Sequence, residues 1–146
     1  GAEDLVQSLR ALGVVPVIVS TGISQVVQRA GEILGIDLVE SNHVEVIDGR
    51  ITGRVDVRCG FAEKGSVIRR MAEQTSIPLD RCAAIGDAEN DISMFETVPF
   101  SIAYNPKSTR VAQAATKTVV GSDLFEAREI LADHFSSIRK CTQSLS

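Results

Sequence analysis

Tryptophan is absent from the 146 residues, tyrosine occurs once and phenylalanine five times. A core must therefore be built from small aliphatic side chains, a bias that suits strands buried on both faces under covering helices. Cysteine is scarce as well. Cys59, Cys82 and Cys141 show no C-x-x-C spacing and leave an odd one over, which excludes a disulfide scaffold and points to a reduced, intracellular protein. No apolar run approaches the ~18 residues of a membrane span and no signal-peptide pattern opens the chain. A cytoplasmic location without a membrane partner is the expectation. Positive charge is also short. With 15 Lys and Arg against 19 Asp and Glu the formal net charge is -4, and no basic stripe runs along a face, so nucleic acid is not an expected partner.

What is present is an alternation of helix-period and strand-period segments in a chain long enough for one core. A helix is predicted over Glu3–Leu12, closed by Gly13. Val14–Val19 reads as a central parallel strand, broken by Ser20-Thr21-Gly22, and a second helix spans Ile23–Leu34 up to Gly35. A short strand, Asp37–Glu40, precedes a hairpin of His43–Ile47 and Ile51–Val57 about Asp48-Gly49. Helix returns from Ala62 to about Thr75, stopped by Pro78. Cys82–Ile85 is a short buried strand, followed by a helix (Asn90–Phe95), a strand (Phe100–Ala103), a helix (Ser108–Ala115), a strand (Thr118–Val120) and a helix (Leu124–Phe135). The expected fold is α/β: a three-layer α/β/α, Rossmann-like core with a mostly parallel sheet and a β-hairpin flap. The core domain is expected over 1–135, with a polar, frayed tail over 136–146.

Ligands of open parallel sheets bind beyond the carboxyl ends of the strands. Two predicted strands end there in polar residues. Ser20 offers a hydroxyl, and Thr21 and Gly22 offer N–H groups where a helix begins, a suitable phosphate cradle; Ser20 serves equally as a simple helix cap. Asp87 and Asp91, four apart with Asn90 between them, offer the hard oxygens that Mg²⁺ takes together with a phosphate. An Asx turn with a first-turn acid accounts for the same pair. Lys64 lies in the first turn of a helix, against the dipole preference, so a nearby anion or a solvated surface position would explain it. His43 and His134 lie outside any ligand spacing and read as structural or exposed. Cys82 reads as a strand core residue.

Taken in order, V-I-V-S-T-G, E-K-G opening a helix, and A-A-I-G-D-A-E-N-D-I-S-M-F resemble the second, third and fourth motifs of haloacid dehalogenase-superfamily phosphatases. The phosphoserine phosphatase group is the nearest likeness, since its cores also carry a D-G-x-[IL]-T-G hairpin, here Asp48-Gly49-Arg50-Ile51-Thr52-Gly53. Ile102 to Lys107 resembles the strand and loop that follow. The resemblance covers Gly1 to Leu131. It implies that Ser20 and the Thr21–Gly22 backbone bind the transferring phosphoryl group. Lys64 would neutralise its charge, Asp87 would ligate Mg²⁺, Asp91 would hold Lys64 or support the metal shell, and Asn90 would contact phosphate or substrate. The implied activity is Mg²⁺-dependent hydrolysis of a small phosphorylated metabolite through an aspartyl-phosphate, with phosphoserine the first substrate to try. Thr21 stands where the family carries a glycine, and Ala88-Glu89 where it carries a glycine-containing pair.

The family's first motif, D-x-D-x-[TS], which supplies the nucleophile, occurs nowhere in the sequence, and the small helical cap between the first two motifs is missing. In the family's sheet the strand carrying that motif lies between the strands ending at Ser20 and Asp87. The chain is therefore expected to be a core fragment, inactive by itself. A non-catalytic phosphate-binding or regulatory domain is the alternative. A receiver-type phospho-acceptor is a third reading, disfavoured because Lys64 precedes Asp87.

Overall fold

The computed structural model describes residues 1–143. Six strands and six helices alternate in the order α1 (Ala2–Ala11), β1 (Val17–Ile23), α2 (Ser24–Leu34), β2 (Leu38–Ile47), β3 (Arg50–Asp56), α3 (Lys64–Thr75), β4 (Ala83–Gly86), α4 (Ile92–Phe95), β5 (Phe100–Tyr104), α5 (Thr109–Ala114), β6 (Lys117–Val119) and α6 (Phe125–Gln143).

Local chemistry explains most boundaries. Gly35 closes α2 in the left-handed region at φ 65°. Asp48 and Gly49, at φ 50° and 75°, make the primed turn between β2 and β3. Ser108 caps α5 by accepting the Val111 N–H at 3.3 Å. Two expectations need correction. The two strands predicted over 37–47 are one continuous strand, β2, whose first half runs parallel to β1 and whose second half runs antiparallel to β3. The predicted tail is helical through Gln143, with Phe135 packed against the cluster of Leu5, Leu9 and Leu131; residues 144–146 lie outside the described ones.

The strands form two separate three-stranded sheets, β1-β2-β3 and β4-β5-β6, rather than one. Pairing is parallel throughout except in the β2–β3 hairpin. Alternation along β5 assigns its faces. Ile102 packs with Leu5 and Leu9 of α1 and Ala127 and Leu131 of α6, whereas Ala103 packs with Ile68 of α3, Phe95 of α4 and Val111 of α5. These are the two helical layers of a three-layer fold. Ile102, Val111 and Val119 are at most 2% exposed, and burying each such side chain contributes roughly 1.5–3 kcal/mol.

Helix α3 joins the two sheets. Its Ile68 belongs to the cluster around β4 and β5, while Val67 and Met71 pack with Cys59, Val19 and Leu38 under β1 and β2. Between the sheets β1 and β4 face each other unpaired, and a cavity of about 720 Å³ opens there. Val15, Val17, Ile68, Met71, Ala83 and Phe135 are among the residues that line it. No helix among the described residues is long and apolar enough to cross a membrane.

Candidate functional site

The carboxyl ends of β1 and β4 lie side by side, because Asn90 Nδ2 donates to Thr21 Oγ1 at 3.2 Å across the gap between the sheets. At the end of β1 the pairing with β2 shifts register between Val19 and Ile23, which lifts Ser20, Thr21 and Gly22 out of the regular ladder. Gly22 N–H donates to Ser20 Oγ at 3.0 Å. Helix α2 begins only at Ser24, so the Thr21 and Gly22 N–H groups belong to a bulged strand end and not to the helix N-terminus expected from the sequence.

Asn42, which sequence reasoning did not single out, holds this bulge in place. Its Nδ2 donates to Thr21 O at 2.9 Å and Cys59 O at 3.1 Å, and its Oδ1 accepts from Arg58 and Cys59 N–H. One side-chain amide thus ties the end of β1 to the segment that leads into α3. It sits within the polar run Glu40-Ser41-Asn42-His43, which gives the sequence no means of marking it out.

Lys64 is the first residue of α3 and is 8% exposed, which removes the solvated-surface reading. Its Nζ donates to Asp91 Oδ1 at 2.6 Å. The other Asp91 oxygen, Oδ2, accepts from the N–H groups of Asp87 at 2.8 Å and Ala88 at 3.0 Å. Asp91 is 3% exposed, and its carboxylate is fully engaged as the counter-ion of Lys64 and the clasp of the loop after β4.

Two glycines make that contact geometrically possible. A Cβ at residue 65 would run into Ser93 O and Thr97 Oγ1, so only glycine lets the N-terminus of α3 pack this closely on α4. A Cβ at residue 86 would lie 2.5 Å from Asp91 Cγ. Gly86 therefore leaves the space into which the Asp91 carboxylate folds back under the strand end.

Asp87 is different. Its side chain is 47% exposed, and its Oδ2 accepts from Lys107 Nζ at 2.8 Å. The hydrogen bond and charge of Asp87 raise the pKa of the Lys107 ammonium above its ordinary value. Glu89 does not add free negative charge, because Ser108 Oγ donates to it at 2.6 Å and Arg110 lies 3.4 Å away. Asn90 Oδ1 is buried without a partner and is the orphaned polar atom of the cluster.

The donor set suits a hard cation only in part. Asp87 is an oxygen ligand with an accessible carboxylate, as Mg²⁺ requires beside waters and phosphate. Asp91 has no free oxygen to add, and among the described residues no group of three or more His, Cys, Asp or Glu is placed to hold a metal. Asp87 fits as one ligand of such an ion, with the remaining ligands coming from elsewhere.

The other singled-out residues lie apart. His43 is exposed with Nδ1 3.3 Å from Ser24 Oγ, and His134 stacks on Phe100 at 4.0 Å. Cys59 is wholly buried under the flap, and burial raises its thiol pKa. Cys82 lies one residue before β4, half-buried and packed against the core cluster of Ile68, Ala84 and Ala103 as expected, with its Sγ donating to Pro78 O at 3.4 Å.

Comparison with known proteins bears on the family and the fold. The model of the haloacid dehalogenase-like hydrolases matches residues 41–123. The chain is 37% identical over 121 residues to the phosphoserine phosphatase of Streptomyces coelicolor, covering 82% of this chain and 29% of that protein. It is 34% identical over 132 residues to that of Streptococcus thermophilus, covering 90% and 61% respectively. A phosphoserine phosphatase crystal structure in the apo form superposes with a TM-score of 0.81 at 33% identity, covering 90% of this chain and 64% of that one. A phospho-aspartyl intermediate analogue of phosphoserine phosphatase superposes at 0.80 with 34% identity, covering 90% and 61%. The chain thus spans between about a third and three fifths of the curated relatives named here. With the matched segment, the relatives and the fold in agreement, the chain belongs to the haloacid dehalogenase-like hydrolases.

Proposed function

We propose that this chain is the core of a Mg²⁺-dependent phosphomonoester hydrolase, with phosphoserine as its first candidate substrate. The observation that carries the reading is the buried Lys64–Asp91 pair, which holds a fixed positive charge beside Asp87, Asn90 and the Ser20–Gly22 bulge. Phosphoryl transfer asks a protein mainly for positioned charge and donors around the transferring group. Here Ser20 Oγ and the Thr21 N–H bind phosphoryl oxygens, and the Gly22 N–H, which donates to Ser20 Oγ in this structure, turns to the same group when it arrives. Lys64, its pose locked by Asp91, neutralises the charge that develops on them. Asn90 orients the substrate with the amide oxygen that no protein group satisfies. Asp87 holds the metal ion, whose chemistry is to neutralise and orient the phosphoryl group.

The nucleophile in this reading is a carboxylate on a strand seated between β1 and β4. It attacks phosphorus to form an acyl phosphate while the bond from phosphorus to the ester oxygen breaks, and the alcohol leaves with a proton. Water then attacks the same phosphorus, the acyl O–P bond breaks, and inorganic phosphate leaves with the carboxylate regenerated. The two open strand edges and the cavity between them support that placement. The phosphoserine phosphatases among the relatives, one of them solved as a substrate-bound complex, support the substrate. A cytoplasmic, small-metabolite enzyme accords with the composition.

The test is phosphate release from phosphoserine and other phosphomonoesters with and without Mg²⁺, using a form of the protein that contains the strand. Asp87→Asn and Lys64→Ala are each expected to lower turnover by at least ~100-fold. Near-wild-type rates in either variant would remove the role assigned to that residue. Mg²⁺-independent phosphate binding without hydrolysis would favour the non-catalytic reading.

A further inference from the structure

Each of the three carboxylates in the loop after β4 has a cation of its own, and the three pairs are not equivalent. Asp91 is paired with Lys64, and both side chains are at least nine-tenths buried. Glu89 is held by Ser108 and Arg110, away from the strand ends. Asp87 is paired with Lys107, whose side chain is 68% exposed. Glu89 and Arg110 are also exposed, at 37% and 79%, but Glu89 has Ser108 Oγ as a second partner. Asp87 is the most exposed of the three carboxylates, and the Lys107 ammonium is its one side-chain partner among the described residues.

The backbone of Lys107 is not free to leave. Its N–H donates to Asp87 O at 2.8 Å, so both its main chain and its side chain engage the same residue. Two residues earlier, Asn105 stands at φ 45° and is fixed on three sides. Its N–H donates to Val119 O, its Nδ2 to Gly121 O, and its Oδ1 accepts from Gly121 N–H, all between 2.8 and 3.0 Å. The Lys107 ammonium is thus a charge on a flexible stem rooted beside the carboxylate.

We infer that Lys107 is a tethered competitor for the divalent cation: its ammonium occupies Asp87 Oδ2, yields when the ion binds, and returns when the ion leaves. The inference rests on the reading of Asp87 as a metal ligand. Lys107 acts through Asp87 and is a positioning residue. Its effect is to raise the cation concentration needed for loading and to keep the empty site neutral.

Binding of Mn²⁺ to a form of the protein that contains the nucleophile strand, read from loss of the free-ion signal in electron paramagnetic resonance, tests this without turnover. Lys107→Met should tighten Mn²⁺ binding about threefold, the scale of one exposed ion pair. Lys107→Arg should restore the wild-type affinity, and Asp87→Asn should lose the site. The exposed position of residue 107 leaves the fold unthreatened in both lysine variants. Unchanged or weaker binding in Lys107→Met, with loss in Asp87→Asn, would overturn the role of Lys107 alone. Wild-type affinity in Asp87→Asn, or no binding by either wild type or Lys107→Met, would overturn the metal reading and this inference together.

Discussion

Gly86 shows how much of the site depends on one missing carbon. The Asp91 carboxylate occupies the space where a Cβ of residue 86 would stand, 2.5 Å from Cγ, and the same carboxylate carries the Lys64 contact and two loop N–H groups. Gly86→Ala must push that carboxylate aside and unpair a buried lysine. A loss of about 2–4 kcal/mol in urea denaturation is expected, within the range for overpacking and for breaking a buried pair. A change below ~0.5 kcal/mol would mean that Asp91 has another pose available. At this scale the sequence was informative about identity and poor about partners. Lys64, Asp87 and Asp91 stood out by motif order. Asn42 and Lys107 did not, because a hydrogen-bond clamp and an exposed ion pair leave no periodic or compositional trace. The Lys64–Asp91 contact spans 27 positions and depends on the close approach of α3 to α4 at Gly65.

Among the elements, α6 departs most from its expected extent. Polar residues after Phe135 suggested fraying, but α6 is continuous through Gln143 beyond the point where Phe135 packs against the cluster of Leu5, Leu9 and Leu131. The hairpin of β2 and β3 was legible because Asp48-Gly49 encodes its own turn. His134 on α6 gives this element a pH response. Its ring stacks on Phe100 and meets Phe135 edge-on, its Nε2 is buried without a partner, and burial lowers its pKa from the ordinary 6.5. A base whose folded pKa is depressed takes up its proton more readily in the unfolded chain. The stability that depends on the neutral ring is complete above pH ~6.5 and declines as pH falls toward the folded value. In urea titrations between about pH 7.5 and pH 5.5, His134→Phe should flatten the decline seen in wild type. Parallel curves would show that the ring keeps its proton equilibrium on folding.

The whole molecule consists of two half-sheets fastened by α3 and by the Asn90–Thr21 hydrogen bond, with two strand edges facing each other across a cavity. The α/β class and the order of strands followed from hydrophobic periodicity. The division into two sheets was not read from the sequence, since each half has a self-consistent pattern; the likeness implied only that a strand belongs between those ending at Ser20 and Asp87. Unpaired edges have a measurable consequence, because an N–H that faces the gap has no ladder partner. Strand β5 is flanked by β4 and β6 and holds Ser101, Ile102 and Ala103 at no more than 1% exposure. Its amides should be among the slowest in the molecule to exchange with deuterium. The amides of β4 should divide into two classes, those donated to β5 exchanging slowly and those facing the gap exchanging orders of magnitude faster. The same split is expected in β1, whose partner is β2 on one side only. Uniform slow exchange across β4 would mean that the two half-sheets close on each other in solution, leaving no place for a strand that carries the nucleophile. Loss of the fast class when an extended apolar peptide ending in an acidic motif is added would place that strand in the cavity and join the two halves into one catalytic sheet.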